Sequence, residues 1–211
     1  MTTAQALRTF LRFPSPRILL LLWASLLGAR LWVGGWTPWD PLIPLLLLAV
    51  HPFTEWLIHV HLLHLRPRRF LGLTIDPIAS REHRKHHRDP SDLPLVFIPL
   101  PTLLASIPLV GGAAWLLAPT PALALTTVLS TTSIALAYEW VHYVCHIPCT
   151  PRTAFMRSRI RHHRLHHYKN EEYWYGVSLH LADRLLGTLP SADSVPRSPT
   201  ARDLEGRPEA G

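Results

Sequence analysis

Four apolar runs decide what this chain can become. Residues 18–33, 42–64, 102–117 and about 122 to 146 carry at most one Asp, Glu, Lys or Arg each. Inside a bilayer every backbone N–H and C=O must pair within its own segment, so such runs are stable there as helices. At 1.5 Å per residue the second and fourth reach roughly 35 Å, enough for a hydrocarbon core of about 30 Å; the first and third, at roughly 24 Å, need flanking residues. The pattern predicts an all-α integral membrane protein with about four transmembrane helices. Hydrophobic residues make up 48% of the chain and charged residues 17%, against about 25% charged in soluble domains, which excludes a soluble globule and a disordered chain. Arg8, Arg12 and Arg17 before the first run imitate a signal peptide, yet no small-residue cleavage site follows and three more apolar runs do.

The basic residues give the orientation. Three Lys or Arg precede residue 18, seven lie between Arg66 and Arg88, seven between Arg152 and Arg184, and three in the tail; the loops at 34–41 and 118–121 have none. By the positive-inside rule both termini and the long 65–93 segment are expected in the cytoplasm, with tight hairpins outside. Arg30, near the outer end of the first helix, is expected to snorkel to the interface. A net charge of +7 and a pI near 10.1 then mark one membrane face, and no nucleic-acid partner is expected. Residues 1–17 read as a cytoplasmic N-terminal segment. Residues 189–211, rich in Pro, Ser, Arg and Glu without apolar periodicity, read as a disordered tail.

Fourteen histidines in so apolar a chain need a collective explanation. Twelve of them form four clusters: His59, His61 and His64; His83, His86 and His87; His142 and His146; His162, His163, His166 and His167. Residues three and four apart share a helix face, so H-x-x-H-H presents its imidazoles to one side. His59 and His64, five apart, would lie about 140° apart on a regular helix; His61 and His64, like His162 and His166, are better single-face pairs. Four helices each giving two or three imidazoles supply about ten nitrogen ligands, enough for two metal ions. His51, about two turns deeper than His59, reads as structural. Glu55 and Glu139 stand one turn before His59 and His142, and a carboxylate at that depth needs a partner; they are read, with Asp183, as acceptors for the ligands' second N–H. His180 reads as a contact near the substrate or behind the ligands.

The clusters in this order resemble the fatty acid hydroxylase/sterol desaturase superfamily of membrane di-iron enzymes, and the surrounding text is most similar to fatty acid 2-hydroxylases. The resemblance rests on E-W-L-I-H-V-H-L-L-H-L-R-P (Glu55 to Pro67), H-R-K-H-H with R-D-P-S-D-L-P-L-V-F-I-P (His83 to Pro99), Y-E-W-V-H-Y-V-C-H, and H-H-R-L-H-H-Y-K-N with Y-G-V-S and D-R-L-L-G-T (His162 to Thr188). It covers roughly residues 18–188, which it marks as a hydroxylase-like membrane domain. Val60, His61, His180 and Ala182 depart from the usual family residues. Seventeen residues before the first helix are expected to be too few for the cytochrome b5 domain fused to some relatives. The block register implies ten metal ligands, His59, His64, His83, His86, His87, His142, His146, His163, His166 and His167, with His61 and His162 less favoured.

The resemblance implies two iron ions, a membrane lipid substrate and dioxygen, and chemistry agrees: oxidising an unactivated C–H bond is beyond redox-inert zinc, although zinc outranks Fe(II) in affinity and can fill such a site in purified samples. The expected function is hydroxylation of a fatty acyl chain, with 2-hydroxylation foremost. A sterol, carotenoid or other lipid hydroxylase or desaturase of the same superfamily is the alternative, and a divalent-metal binding or transport protein is the non-enzyme one. Gathering the histidines at one face disfavours transport. With no G-x-G-x-x-G, no CxxC and no haem motif, electrons are expected from an external ferredoxin or cytochrome b5-like donor, steered by Arg66, Arg68, Arg69 and Arg157. The topology is testable: reporter fusions after Gly35 and after Thr120 should both report outside, and either one inside overturns the arrangement.

Overall fold

The structure, a computed structural model, describes residues 1–206. Four helices are long and apolar enough to cross a membrane: α2 (Pro14–Val33), α3 (Trp39–Leu57) prolonged by a π-helical stretch (Ile58–Leu63), α5 (Leu100–Leu117) with the 3₁₀ turn Leu93–Val96 before it, and α6 (Pro121–His146). Each start is prepared locally. Proline sits in the first turn of α2, α5 and α6, where its missing N–H costs no helical bond, and the Thr120 hydroxyl caps α6 on the Leu123 amide at 3.3 Å. Gly34 and Gly35, both at φ 62°, turn the chain from α2 towards α3 in a conformation that glycine adopts without steric cost.

Helix α6 is the axis of the bundle and packs against α2, α3 and α5. Its hydroxyls at Thr127, Ser130, Thr131, Thr132 and Ser133 donate to carbonyls one turn back, so a polar stripe enters an apolar bundle with its hydrogen bonds made. A short helix α1 (Thr3–Phe10) folds under the bundle, where Phe10 meets Phe97, Trp140 and Tyr143. At the same end lie α4 (Ile78–Arg88), α7 (Ala154–Tyr168) and α8 (Leu181–Leu185). A two-stranded antiparallel hairpin, β1 (Arg68–Phe70) and β2 (Leu73–Ile75), adds the only strands among the described residues to an otherwise helical fold.

Two expectations are corrected. Arg30 does not snorkel outwards: it is 1% exposed, donates to Asp40 at 2.6 Å and to Thr126 at 2.8 Å, and lies 3.8 Å over the Trp36 ring. A buried acid within reach leaves the guanidinium nothing to gain from the interface. The tail, as far as it is described, is packed rather than disordered. Val195, Thr200, Ala201 and Leu204 are buried, Ser198 N–H donates to Lys169 O at 2.7 Å, and Glu205 accepts from Arg84 and Arg88, each at 2.6 Å. Composition could not reveal this, because the segment is ordered by polar partners on α4 and α7 and not by an apolar stripe of its own. Residues 207–211 of that expectation lie outside the described residues.

Removing one member of a buried ion pair leaves an uncompensated charge, at a cost of about 3–5 kcal/mol. Asp40→Ala is therefore expected to lower stability by that order in detergent unfolding, and the double variant Arg30→Met/Asp40→Leu to recover most of it. Equal losses in the single and double variants would contradict the pairing.

Candidate metal centre

Ten histidines converge at one end of the bundle in two groups of five. The α3 group is His59, His64, His83, His87 and His166; the α6 group is His86, His142, His146, His163 and His167. Within each group one nitrogen per ring lies within 4.8 Å of all the others. Helices α4 and α7 divide their histidines between the two. His83 and His87, one turn apart on α4, serve the α3 group while His86 crosses to the other; His163 and His167 on α7 serve the α6 group while His166 crosses back. The H-x-x-H-H motif thus presents a common side but splits two to one.

The five-residue step from His59 to His64 is accommodated by the π-helix. There the His64 amide bonds the His59 carbonyl at 3.1 Å, and residues five apart stack one turn above the other. His61 is left exposed, its ring edge-on to Trp56 at 5.9 Å. His162 also stands outside both groups and meets His180, Nδ1 to Nδ1, at 3.0 Å.

The ring environment suits a cation. His59 Nδ1 donates to Tyr175 O at 2.6 Å, His166 Nδ1 to Tyr173 O at 2.8 Å and His87 Nδ1 to Ala201 O at 2.9 Å. Each proton so placed leaves the Nε2 lone pair pointing inwards. His59 and His87 aim theirs at His83 Nε2, at 3.1 and 3.2 Å, and a single hydrogen there cannot serve both. In the α6 group His163 Nε2 stands 2.7 Å from His146 Nε2 and 3.0 Å from His167 Nε2. Imidazoles bound to one ion at 2.0–2.1 Å stand roughly 3 Å apart when they are neighbours. Among the described residues His64 Nε2 and His166 Nε2 are buried without a partner, as are both nitrogens of His86 and of His142, and coordination would remove that cost at one nitrogen of each ring. Burial, with help from neighbouring imidazoles, holds His83, His86, His163, His166 and His167 well below the ordinary histidine value, and burial takes His87 down to about 3. Neutral imidazole is the form that binds a metal.

The acidic residues act one step further out than the sequence suggests. Glu55 does not reach His59; it accepts from Val177 N, Ser178 N and the Ser178 hydroxyl, and lies 3.3 Å from His51. Asp183 accepts from Tyr175 N, Gly176 N and the Thr188 hydroxyl, at 3.0, 2.7 and 2.6 Å. Together they pin the 175–178 loop, whose Tyr175 carbonyl orients His59. Loop amides outnumber the single N–H an imidazole could offer, so a buried carboxylate is better satisfied there. A Cβ at Gly176 would come within 2.3 Å of Leu179 O, so position 176 admits only glycine. Glu139 likewise turns from His142 to Ser15 Oγ at 2.5 Å and Ile98 N at 3.0 Å, tying α2 and the start of the third span to α6. His51, outside both groups, is held by Glu55 and Ser178.

Sequence reasoning missed the carbonyls of Tyr173, Tyr175 and Ala201, which carry no side-chain signature. It missed Arg202, which donates to His87 O at 3.0 Å, and Arg84, which is 2% exposed and saturated by Asp76, Glu205 and Leu65 O. Its neighbours Arg81, Lys85 and Arg88 are exposed.

A family model described as fatty acid hydroxylase matches residues 44–188. Two dihydroceramide fatty acyl 2-hydroxylases of Arabidopsis thaliana are similar in sequence. FAH2 is 30% identical over 137 residues, 64% of this chain and 55% of its own length. FAH1 is 26% identical over 153 residues, 71% of this chain and 62% of its own. The chain therefore spans less than two thirds of either relative. Among solved structures, full-length Scs7p, with only its hydroxylase domain visible, superposes with a TM-score of 0.71 at 22% identity, covering 87% of this chain and 68% of that one; the fold is shared.

Imidazoles held neutral in the fold regain an ordinary value of about 6.5 once unfolded. Below that pH the unfolded chain binds more protons than the folded one, so stability is full above about 6.5 and falls as pH drops through it. The thermal midpoint in detergent and the metal content by elemental analysis should both decline from about pH 6.5 downwards. A protein that keeps its metal and midpoint unchanged at about pH 4.5 would contradict this account.

Proposed function

The chain belongs to the fatty acid hydroxylase family, and we propose that it is a membrane oxidoreductase that hydroxylates a fatty acyl chain, at carbon 2 in the first instance. The observation that carries the reading is the pair of adjacent five-imidazole groups, each formed of neutral donors. Two iron ions bound there supply the dioxygen activation that oxygen insertion into a C–H bond requires. Overall, the C–H bond and one molecule of dioxygen, with two electrons and two protons, become C–OH and water. The electrons come from an external donor, a ferredoxin or cytochrome b5-like protein, drawn to the basic face.

The residues of the chain have separate tasks. The ten histidines bind. The carbonyls of Tyr173, Tyr175 and Ala201 fix the rings of His166, His59 and His87, the kind of support that governs metal affinity. Glu55 and Asp183 hold the loop that carries Tyr175. The apolar walls of the second to fourth spans accept the acyl chain and exclude water, so that its oxidised carbon is presented at the histidine end. That end and both termini face the cytoplasm, in keeping with the basic segments beside the histidines and the uncharged loop at 118–121 opposite. The hydroxylase names of the two plant relatives favour an acyl substrate over a sterol or carotenoid.

Lipid mass spectrometry of the native host with and without the gene tests this directly: the expected result is loss of 2-hydroxylated acyl chains on deletion and their return with the intact gene. Alanine at any of the ten grouped histidines should fail to restore them, while alanine at His51, His61 or His162 should restore them at least in part. An unchanged hydroxyacyl profile on deletion, with loss of a different oxidised lipid, would replace the substrate; no lipid change at all would sink the enzyme reading.

A further inference from the structure

Ten consecutive residues, 66–75, are all exposed. They contain the β1–β2 hairpin, and its pairing sorts the side chains. Phe70 faces Leu73 and Arg68 faces Ile75 across the ribbon, while Arg69 faces Thr74. Side chains alternate between the faces of a strand and cross-strand partners share a face. Phe70, Leu73 and Ile75 therefore line one face with Arg68 at its base, and Arg69 and Thr74 line the other. Their exposures are 62% for Phe70, 72% for Leu73 and 45% for Ile75, and the turn residue Leu71 reaches 86%.

Such a ribbon is poorly suited to water. An isolated two-stranded hairpin is marginal there, and among the described residues none covers either face of this one. Its turn makes the same point. Leu71 and Gly72 have φ of 48° and 78°, the geometry of a two-residue turn in which Asn or Asp ordinarily precedes Gly. A leucine there accepts backbone strain and places a large apolar side chain at the tip. The position of the hairpin says what covers it. The second span ends at Leu63 and β1 begins at Arg68, so the intervening chain can reach roughly 18 Å at most, which keeps the hairpin's base beside the bilayer surface. Its charge agrees: Arg66, Arg68 and Arg69 stand within these ten residues, which include no acid, and basic residues beside a span are drawn to anionic headgroups.

We propose that the β1–β2 hairpin lies in the headgroup–acyl boundary of the leaflet at the histidine end, with Phe70, Leu71, Leu73 and Ile75 among acyl chains and its arginines among anionic headgroups. Arg68, on the apolar face, extends its charge back to the headgroups along its aliphatic stem. The inference rests on the four long helices lying in a bilayer and is independent of the reaction proposed above. It makes the hairpin a second attachment of the histidine cap to the membrane, beyond the spans themselves.

The test uses the full chain with Cys145→Ala and Cys149→Ala and one added cysteine at a time: Leu71→Cys, Leu73→Cys, Arg69→Cys, Thr74→Cys, and Leu46→Cys within the second span. Each carries an environment-sensitive fluorophore in vesicles of phosphatidylcholine and phosphatidylserine, with or without nitroxide on the acyl chains. Blue-shifted emission, quenched by the nitroxide lipid, is expected at 71 and 73 but not at 69 or 74. Quenching at 71 and 73 should weaken when phosphatidylserine is left out, with position 46 unchanged. Aqueous emission at all four hairpin positions, or blue emission there that the nitroxide lipid does not quench, overturns the proposal, the latter by showing a protein contact. Loss of quenching at position 46 as well would overturn the membrane placement of the spans themselves.

Discussion

The structure turns on one constraint: an imidazole buried at the end of an apolar bundle can serve as a ligand only with a lone pair turned inwards, and at His59, His87 and His166 a backbone carbonyl fixes that choice by taking the proton on the other nitrogen. A charged imidazole is excluded by burial and by its neighbours. A neutral one has a single proton, and its position decides whether the ring can act as a ligand. The carbonyls of Tyr173, Tyr175 and Ala201 take that proton at Nδ1, and much of the chain beyond the spans serves to hold those three oxygens still. The 175–178 loop is fastened by Glu55 and Asp183. The segment after α8 is fastened by Lys169, Arg84 and Arg88. The glycine of the 175–178 loop and the packed tail thus serve the same end.

The far end of the bundle solves the opposite problem. There the buried charges are Arg30 and Asp40, joined with Thr126 and closed by the Thr37 amide on Asp40 at 2.8 Å. This network links α2, α3 and α6 at the loops, as Glu139 links α2 and α6 near the histidines. Between the two, α6 satisfies its hydroxyls on its own backbone. A bundle whose outer surface must be apolar has little solvophobic force to hold its helices together in lipid, and polar ties at both ends give it a fixed register, on which the convergence of ten rings depends.

How much was legible follows from where the information lies. The four spans could be read because hydropathy is a property of a run, and the ten grouped histidines because their spacing repeats helical geometry within recognisable blocks. The partition of those histidines could not. H-x-x-H-H predicts a shared side, and only the meeting of α4 with α7 divides it between two groups. The π-helical stretch was hinted at by a five-residue step that a regular helix would splay, although spacing alone favoured His61 over His59. Glu55, Glu139 and Asp183 are legible as buried acids needing partners, but their partners are not, because backbone amides distant in sequence compete with an imidazole one turn away. The order of the tail is hidden for the same reason: His87 and Arg84 on α4 supply its partners, and a low-complexity composition carries no trace of that.

The crossing of His86 and His166 has a consequence for how the centre assembles. Each group takes four rings from its own pair of elements and the fifth from the helix that mainly serves the other. His87 and His167 bring the two groups within 4.3 Å, ring centre to ring centre. Helices α4 and α7 cannot shift to suit one group without moving a ring of the other. An ion bound on either side would therefore order the frame of its neighbour, and because binding to the folded chain would add to folding free energy, two such sites would be coupled through the same helices that carry them. Two separate mononuclear pockets on separate helices would have no such linkage; here it is built into the i, i+3, i+4 spacing of two short motifs.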